Sequence, residues 1–167
     1  GNEVLDTDRT TPESIQLHRL FARMRDAQCR YAVMEVSSHA IALHRVEGIH
    51  FAVAAFTNLT EDHLDFHNTI EDYGQTKAQL FAHCDKAVVN SDCPWGQRMV
   101  AGRNIPVIAT AVDGCGDLMA KNVIYNRNGL QFTAVYGEKS VEVQVPIPGK
   151  FTVYNVLTVL GIALQLG

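Results

Sequence analysis

Two runs in this sequence, YAVMEV (31–36) and FAVAAFTNL (51–59), are apolar at nearly every position. A strand with one face in water alternates apolar and polar side chains. A run without alternation suits a strand buried on both faces, and such strands belong to parallel sheets covered by helices. KAVVN (86–90) and IPVIAT (105–110) have the same texture. Between the runs the helical period takes over. Thr10-Thr11-Pro12-Glu13 reads as a helix start, with a Thr as N-cap, Pro at the first helical position and Glu in the first turn. Leu17, Leu20, Phe21, Met24 and Ala27 then recur at helical spacing to about Gln28. A further helix is predicted from Ile70 to His83, a short one after the loop SDCPWG, and a last one with Val153, Val156, Leu157, Leu160 and Leu164 on its apolar stripe. From about Lys121 the chain alternates apolar and polar residues, with turn signals at Asn126 to Gly129 and Gly137 to Lys139. The predicted architecture is α/β: a mostly parallel sheet flanked by helices, with a small antiparallel three-stranded β appendage.

With 167 residues, 47% of them hydrophobic and 19% charged, the chain is long and apolar enough for one domain with a real core. A formal charge of -4 without a basic stripe gives no general attraction to nucleic acid or an anionic membrane, so any phosphate the chain binds must be met by local contacts. No apolar stretch is long enough to cross a bilayer. Cys29, Cys84, Cys93 and Cys115 are scattered without a C-x-x-C pair, which reads as reduced and cytoplasmic. The first residue is Gly1 rather than Met, and the expectation is a piece of a longer protein.

The chemistry gathers at predicted strand ends. Glu35 lies at the end of the first run; after the second comes TEDHLDFHNT (60–69), which holds Glu61, Asp62, His63, Asp65 and His67. In open α/β sheets ligands bind beyond the carboxyl ends of strands, so neighbouring strands would bring Glu35 and His63 to one point. A carboxylate and an imidazole without thiolates suit Mg²⁺ or Mn²⁺ better than structural zinc. A solvated loop is the plainer alternative. Lys77 adds a second anomaly, because it falls inside the stripe Ile70, Tyr73, Leu80, Phe81 and Cys84. Either it snorkels to water or it is partly buried, with its proton affinity lowered and its amine free to react or to pair with acids.

MEVSSHAIALHRVEGIHF (34–51) followed by FTNLTEDHLDFHNTIEDYGQTKAQLF (56–81) resembles the central, ATP-binding domain of the Mur ligases, in particular the MurE type. RTTPES upstream, and VVNSDCPWG and PGKFTVYNVLTVLGIAL downstream, stand in the order the family shows, so the resemblance spans nearly the whole chain. It implies a P-loop-like fold and an ATP-dependent ligase of peptidoglycan synthesis. In that reaction the carboxylate of UDP-N-acetylmuramoyl-L-Ala-D-Glu attacks the γ-phosphate, and the amine of diaminopimelate or lysine displaces phosphate from the acyl phosphate. Residue by residue, it implies Glu35 and His63 as magnesium ligands and Lys77 as the lysine that takes up CO₂ as a carbamate. It also implies Thr10, Thr11, Ser37 and Arg45 as contacts to the UDP-muramoyl-peptide, and Asn155 as a contact near the adenine. For Asp62, Asp65 and His67 it implies nothing definite, and loop-bracing hydrogen bonds are expected.

The sequence departs from the family's usual residues at Leu43, where a polar residue is common, at Cys93, where Asp is expected, and at Thr152, where Asn is expected. No G-x-x-G-K-[ST] loop occurs. The resemblance therefore implies a partial central domain over residues 1–167, without the phosphate-binding loop, the N-terminal UDP-binding domain or the C-terminal amino-acid-binding domain. Such a chain is expected to be inactive alone and, with apolar sheet surface exposed, to self-associate. Three rivals remain open: a metal-dependent hydrolase using Glu35, His63 and Asp62; a non-catalytic nucleotide-sugar-binding module; and a carboxylate-amine ligase of the folylpolyglutamate or cyanophycin synthetase kind. The spacing from EVSSH to Arg45, with TTP upstream, favours the MurE type.

Overall fold

A computed structural model describes residues 4, 5, 7, 9–60 and 66–167. The chain divides into two compact units, Gly1–Ile49 with His63–Gln79, and His50–Asp62 with Leu80–Gly167.

The second unit is a six-stranded sheet in sequence order: β1 (Phe51–Phe56), β2 (Cys84–Asn90), β3 (Val107–Ala111), β4 (Leu118–Asn126), β5 (Gly129–Tyr136) and β6 (Lys139–Val145). β1 to β4 pair in parallel, while β4, β5 and β6 are antiparallel. The antiparallel strands thus continue the parallel sheet through the pairing of Thr110 with Leu118 and are not a separate appendage. Both hairpins have two-residue turns, and Gly137 takes the left-handed backbone (φ 57°) that such turns require. Asn122 (φ 54°) lies at the irregularity between Lys121 and Ile124, where β4 slips register against β5.

Ala87, Val88 and Val89 are fully buried in β2, as expected of a parallel strand covered on both faces. α5 (Lys150–Leu166) packs on β1 to β4, with Val153 and Leu157 in one cluster with Ile108, Leu118, Leu130 and Phe132. The helix lies so close to the sheet that a Cβ on Gly161 would stand 2.8 Å from Val88 Cγ1. Near its end the predicted stripe is corrected. Leu164 is exposed and Gln165 is buried, because the Gln165 amide donates to the carbonyls of Ala87 (3.1 Å) and Pro106 (3.4 Å). A buried polar group is tolerated where it satisfies backbone acceptors. A short α4 (Gly96–Met99) follows the loop after β2.

The first unit is helical: α1 (Ser14–Asp26), α2 (Ser38–Ala42) and α3 (Ile70–Ala78), the last running on into a 3₁₀ turn at Gln79–Ala82. Two expectations fail here. α1 begins at Ser14, with Glu13 at the N-cap and no side-chain cap. Thr11 does not cap it because its hydroxyl is engaged elsewhere, as described below. Residues 31–36 form no strand, and Val33 is 94% exposed. A parallel strand depends on ladders to its neighbours, and among the described residues the regular elements of this unit are helices.

Candidate functional site

Thr11 is 1% exposed and joins two segments of the first unit. Its hydroxyl donates to the Glu35 carbonyl (2.9 Å) and accepts from the Ser37 N–H (3.2 Å). Ser37 caps α2 by accepting the Ala40 N–H at 3.1 Å, so the oxygen expected to contact substrate already has a structural partner. α2 ends in a Schellman turn: His44 takes a left-handed φ of 54°, its N–H donates to the Ile41 carbonyl, and the Arg45 N–H donates to the Ala40 carbonyl. That reversal carries Arg45 into the interior, where it is 7% exposed.

The Arg45 guanidinium donates through one terminal nitrogen to the Thr11 carbonyl at 3.4 Å. Its Nε lies 3.2 Å from Glu13 Oε1, close enough for an ion pair but not aligned for a hydrogen bond, so this buried N–H has no hydrogen-bond partner among the described residues. An unsatisfied donor on a planar cation suits a carboxylate or phosphate. Thr10, next to Thr11 in the chain, is exposed.

Lys77 lies on α3, half-buried, with Nζ 5.4 Å from the centre of the Tyr73 ring one turn earlier. Burial lowers its proton affinity, and the nearby Glu35 carboxylate opposes this without cancelling it. The lysine and the glutamate singled out from the sequence therefore lie within reach of each other's charge, although Glu35 is exposed on a segment without regular secondary structure rather than at a strand end. Tyr73 stacks on His67 with centroids 5.0 Å apart, and His67 Nε2 lies 2.8 Å from Ser38 Oγ. His67 thus braces its segment through a buried hydrogen bond. His63, Asp62 and Asp65 lie outside the described residues, and no group of three or more His, Cys, Asp and Glu able to hold a metal occurs among those described.

The second unit carries a polar cluster that the sequence reading missed. Three successive residues, the last of β2 and the two that follow it, reach to neighbouring strand ends. The Asn90 amide donates to the Thr57 carbonyl (2.8 Å), and the single proton of Ser91 Oγ has two acceptors within reach, the carbonyls of Cys115 (2.7 Å) and Thr110 (3.0 Å). The Asp92 carboxylate accepts the N–H groups of Val112 (2.7 Å), Asp113 (2.9 Å) and Gly114 (2.8 Å), and the Tyr154 hydroxyl at 3.2 Å. Burial pushes the Asp92 carboxyl up, but these donors outweigh it and hold the group below its usual range. Tyr154 also lies 3.3 Å from Asp113 Oδ2, and burial together with these two carboxylates keeps its hydroxyl protonated. Lys150 pairs with Asp113 at 2.9 Å, which raises its own proton affinity. Asn155 is exposed on the first turns of α5 in this unit. The one trace of the cluster in the sequence is the polar triplet Asn90-Ser91-Asp92, directly after a buried strand.

Among the described residues no helix is long and apolar enough to cross a membrane. The Mur ligase middle domain family matches residues 1–163. A UDP-N-acetylmuramoyl-L-alanyl-D-glutamate–2,6-diaminopimelate ligase of Caldanaerobacter subterraneus is 40% identical over 168 residues, covering 100% of this chain and 35% of its own length. The corresponding ligase of Xylella fastidiosa (strain 9a5c) is 42% identical over 171 residues, covering 99% of this chain and 34% of its own. A solved structure of a ligase of the same name superimposes with a TM-score of 0.87 at 27% identity, over 93% of this chain and 33% of that one. The chain spans about a third of the length of these relatives. The match along almost its whole length places the chain in the Mur ligase middle domain family.

Proposed function

We propose that the chain is part of the middle domain of a longer, cytoplasmic, ATP-dependent ligase that adds the third amino acid to UDP-N-acetylmuramoyl-L-Ala-D-Glu in peptidoglycan synthesis. The names of the two relatives favour diaminopimelate over lysine. Their identity along the whole chain also favours this reading over a folylpolyglutamate or cyanophycin synthetase. The rest of the middle domain supplies the phosphate-binding loop, and the flanking domains of the same protein supply the UDP site and the amino-acid site.

The observation that carries the proposal is the meeting of Lys77, half-buried with its proton affinity lowered, and Glu35. Neutral Nζ adds its lone pair to the carbon of CO₂ and releases a proton to solvent, leaving a carbamate anion on Lys77. Glu35, the carbamate and His63 would hold magnesium. The donor chemistry fits: these groups offer few protein ligands, mostly oxygen, and Mg²⁺ keeps waters and substrate phosphates in its shell. When bound, magnesium would neutralise charge on the phosphate oxygens. Arg45, with its unsatisfied Nε, orients the anionic muramoyl-peptide, with Thr10 and Ser37 as further contacts, while the buried Thr11 acts through its carbonyl, which accepts from the Arg45 guanidinium. Its carboxylate attacks the γ-phosphate of ATP, ADP leaves, and an amine then displaces phosphate to form the amide. Asn155 contacts the nucleotide. Catalysis rests on placement and charge rather than on a protein nucleophile.

In the full-length protein, Lys77→Ala is expected to lower phosphate release by about 100-fold or more while leaving the fold intact. Near-normal rates would refute the role of Lys77. The chain as given is expected to be inactive alone. The exposure of Val33 (94%) and Tyr31 (60%) supports its self-association, and a monodisperse monomer in light scattering would count against that.

A further inference from the structure

The first turn of α5 lacks the usual anchor. Its N-cap is Gly149, which has no side chain to accept the turn's N–H groups and adopts a left-handed φ of 113°. Besides Val153, which is buried in the core, two polar side chains tie the start of the helix to the rest of the unit. Lys150 does so through an ion pair that is mostly exposed, and such pairs constrain little. Tyr154 does so through Asp92, a carboxylate already fixed by three backbone N–H groups on the loop after β3. With Val153 packed in the core and the neighbouring Tyr154 bonded to Asp92, the turn is held at two successive positions, so the direction of its outward side chains is also set. Those side chains are Phe151, 71% exposed, and Asn155, also exposed; four residues apart, they share one helix face. An aromatic face beside an amide suits a nucleobase, which stacks on the ring while its edge hydrogen-bonds. The loops that Asp92 joins follow the carboxyl ends of β2 and β3, where open α/β sheets bind ligands.

We propose that Tyr154, anchored on Asp92, is a positioning residue for the nucleotide, and that it holds the first turn of α5 so that Phe151 and Asn155 present one face to the base. The inference rests on the reading of Asn155 as a nucleotide contact. Tyr154 touches no substrate and acts through the turn it fixes. Phe151 supplies the stacking surface.

The test uses the full-length protein and three variants: Tyr154→Phe, which removes only a hydroxyl; Phe151→Ala, an exposed position; and Asp92→Asn. A non-hydrolysable ATP analogue is titrated by calorimetry, and KM for ATP and for the muramoyl-peptide are measured separately. Tyr154→Phe and Phe151→Ala are each expected to raise the analogue Kd and the ATP KM by about tenfold, while kcat at saturating ATP and the muramoyl-peptide KM stay within about twofold. Asp92→Asn should act in the same direction as Tyr154→Phe. An unchanged analogue Kd in Tyr154→Phe overturns the proposal. So does a rise in both KM values together with a lower Tm, because that pattern belongs to a general loss of structure. Should Asp92→Asn not fold, Tyr154→Phe decides alone. A wild-type protein that binds no nucleotide refutes the underlying reading of Asn155, an outcome distinct from normal wild-type binding that Tyr154→Phe leaves unaltered.

Discussion

Thr11 and Asp92 do comparable work in different units of the molecule, by different means. Thr11 is neutral, almost wholly buried, and makes two hydrogen bonds to the backbone of one distant segment. Asp92 is charged, half-buried, and accepts four hydrogen bonds, three of them from one backbone loop. Counting bonds would rank Asp92 first. Solvent reverses the order, since water replaces lost partners at a half-exposed site and cannot reach a fully buried one. The difference also separates how the two units respond to pH.

The largest expected effect is therefore at the smaller cluster. Thr11→Val keeps the volume but strands the Ser37 N–H and the Glu35 carbonyl, at a cost of about 2–3 kcal/mol in urea denaturation. Asp92→Ala strands three N–H groups that water can reach, and about 1–2 kcal/mol is expected. A larger loss from Asp92→Ala than from Thr11→Val would break the comparison. Acid sharpens it. The Asp92 carboxyl in the folded state sits below its usual 3.8, so its contribution is full above that value and is lost as the pH falls through the lower, folded one. The stability gap between wild type and Asp92→Ala should shrink below about pH 3.8, whereas the gap for Thr11→Val should not follow the titration of Asp92. A gap at Asp92 that persists at pH 2 would show that its hydrogen bonds do not depend on its charge.

What could be read from the sequence follows the reach of each interaction. β1, β2 and β3 were legible because their apolar runs report burial on both faces, and both hairpins because Asn126 to Gly129 and Gly137 carry turn chemistry. Lys77 was legible because a charge inside an apolar stripe breaks the helical pattern. YAVMEV carries the same signal as β2 yet forms no strand, because pairing belongs to neighbours and not to the segment. Thr11 was misassigned as a cap because its partners lie 24 and 26 residues along the chain. Asp92 was missed for a related reason: three of its partners are backbone N–H groups 20 to 22 residues on, and a backbone group leaves no mark in the sequence.

The smallest effect should come from Lys150, and it isolates which contact anchors α5. Lys150 and Tyr154 both bind acidic oxygens from the helix's first turns, and Lys150 carries the full charge. Its ion pair with Asp113 is 59% and 65% exposed, so each side chain loses conformational freedom for an attraction that water and salt screen. Tyr154 makes neutral-to-charged hydrogen bonds with its side chain half-buried, so less conformational freedom is lost when they form. Lys150→Ala is therefore expected to leave the urea midpoint unchanged within error, at low and at high salt, while Tyr154→Phe lowers it at both. A Lys150→Ala loss that disappears in 1 M salt would mean that the ion pair orders the turn, and the anchor of α5 would then be electrostatic rather than the Tyr154–Asp92 hydrogen bond.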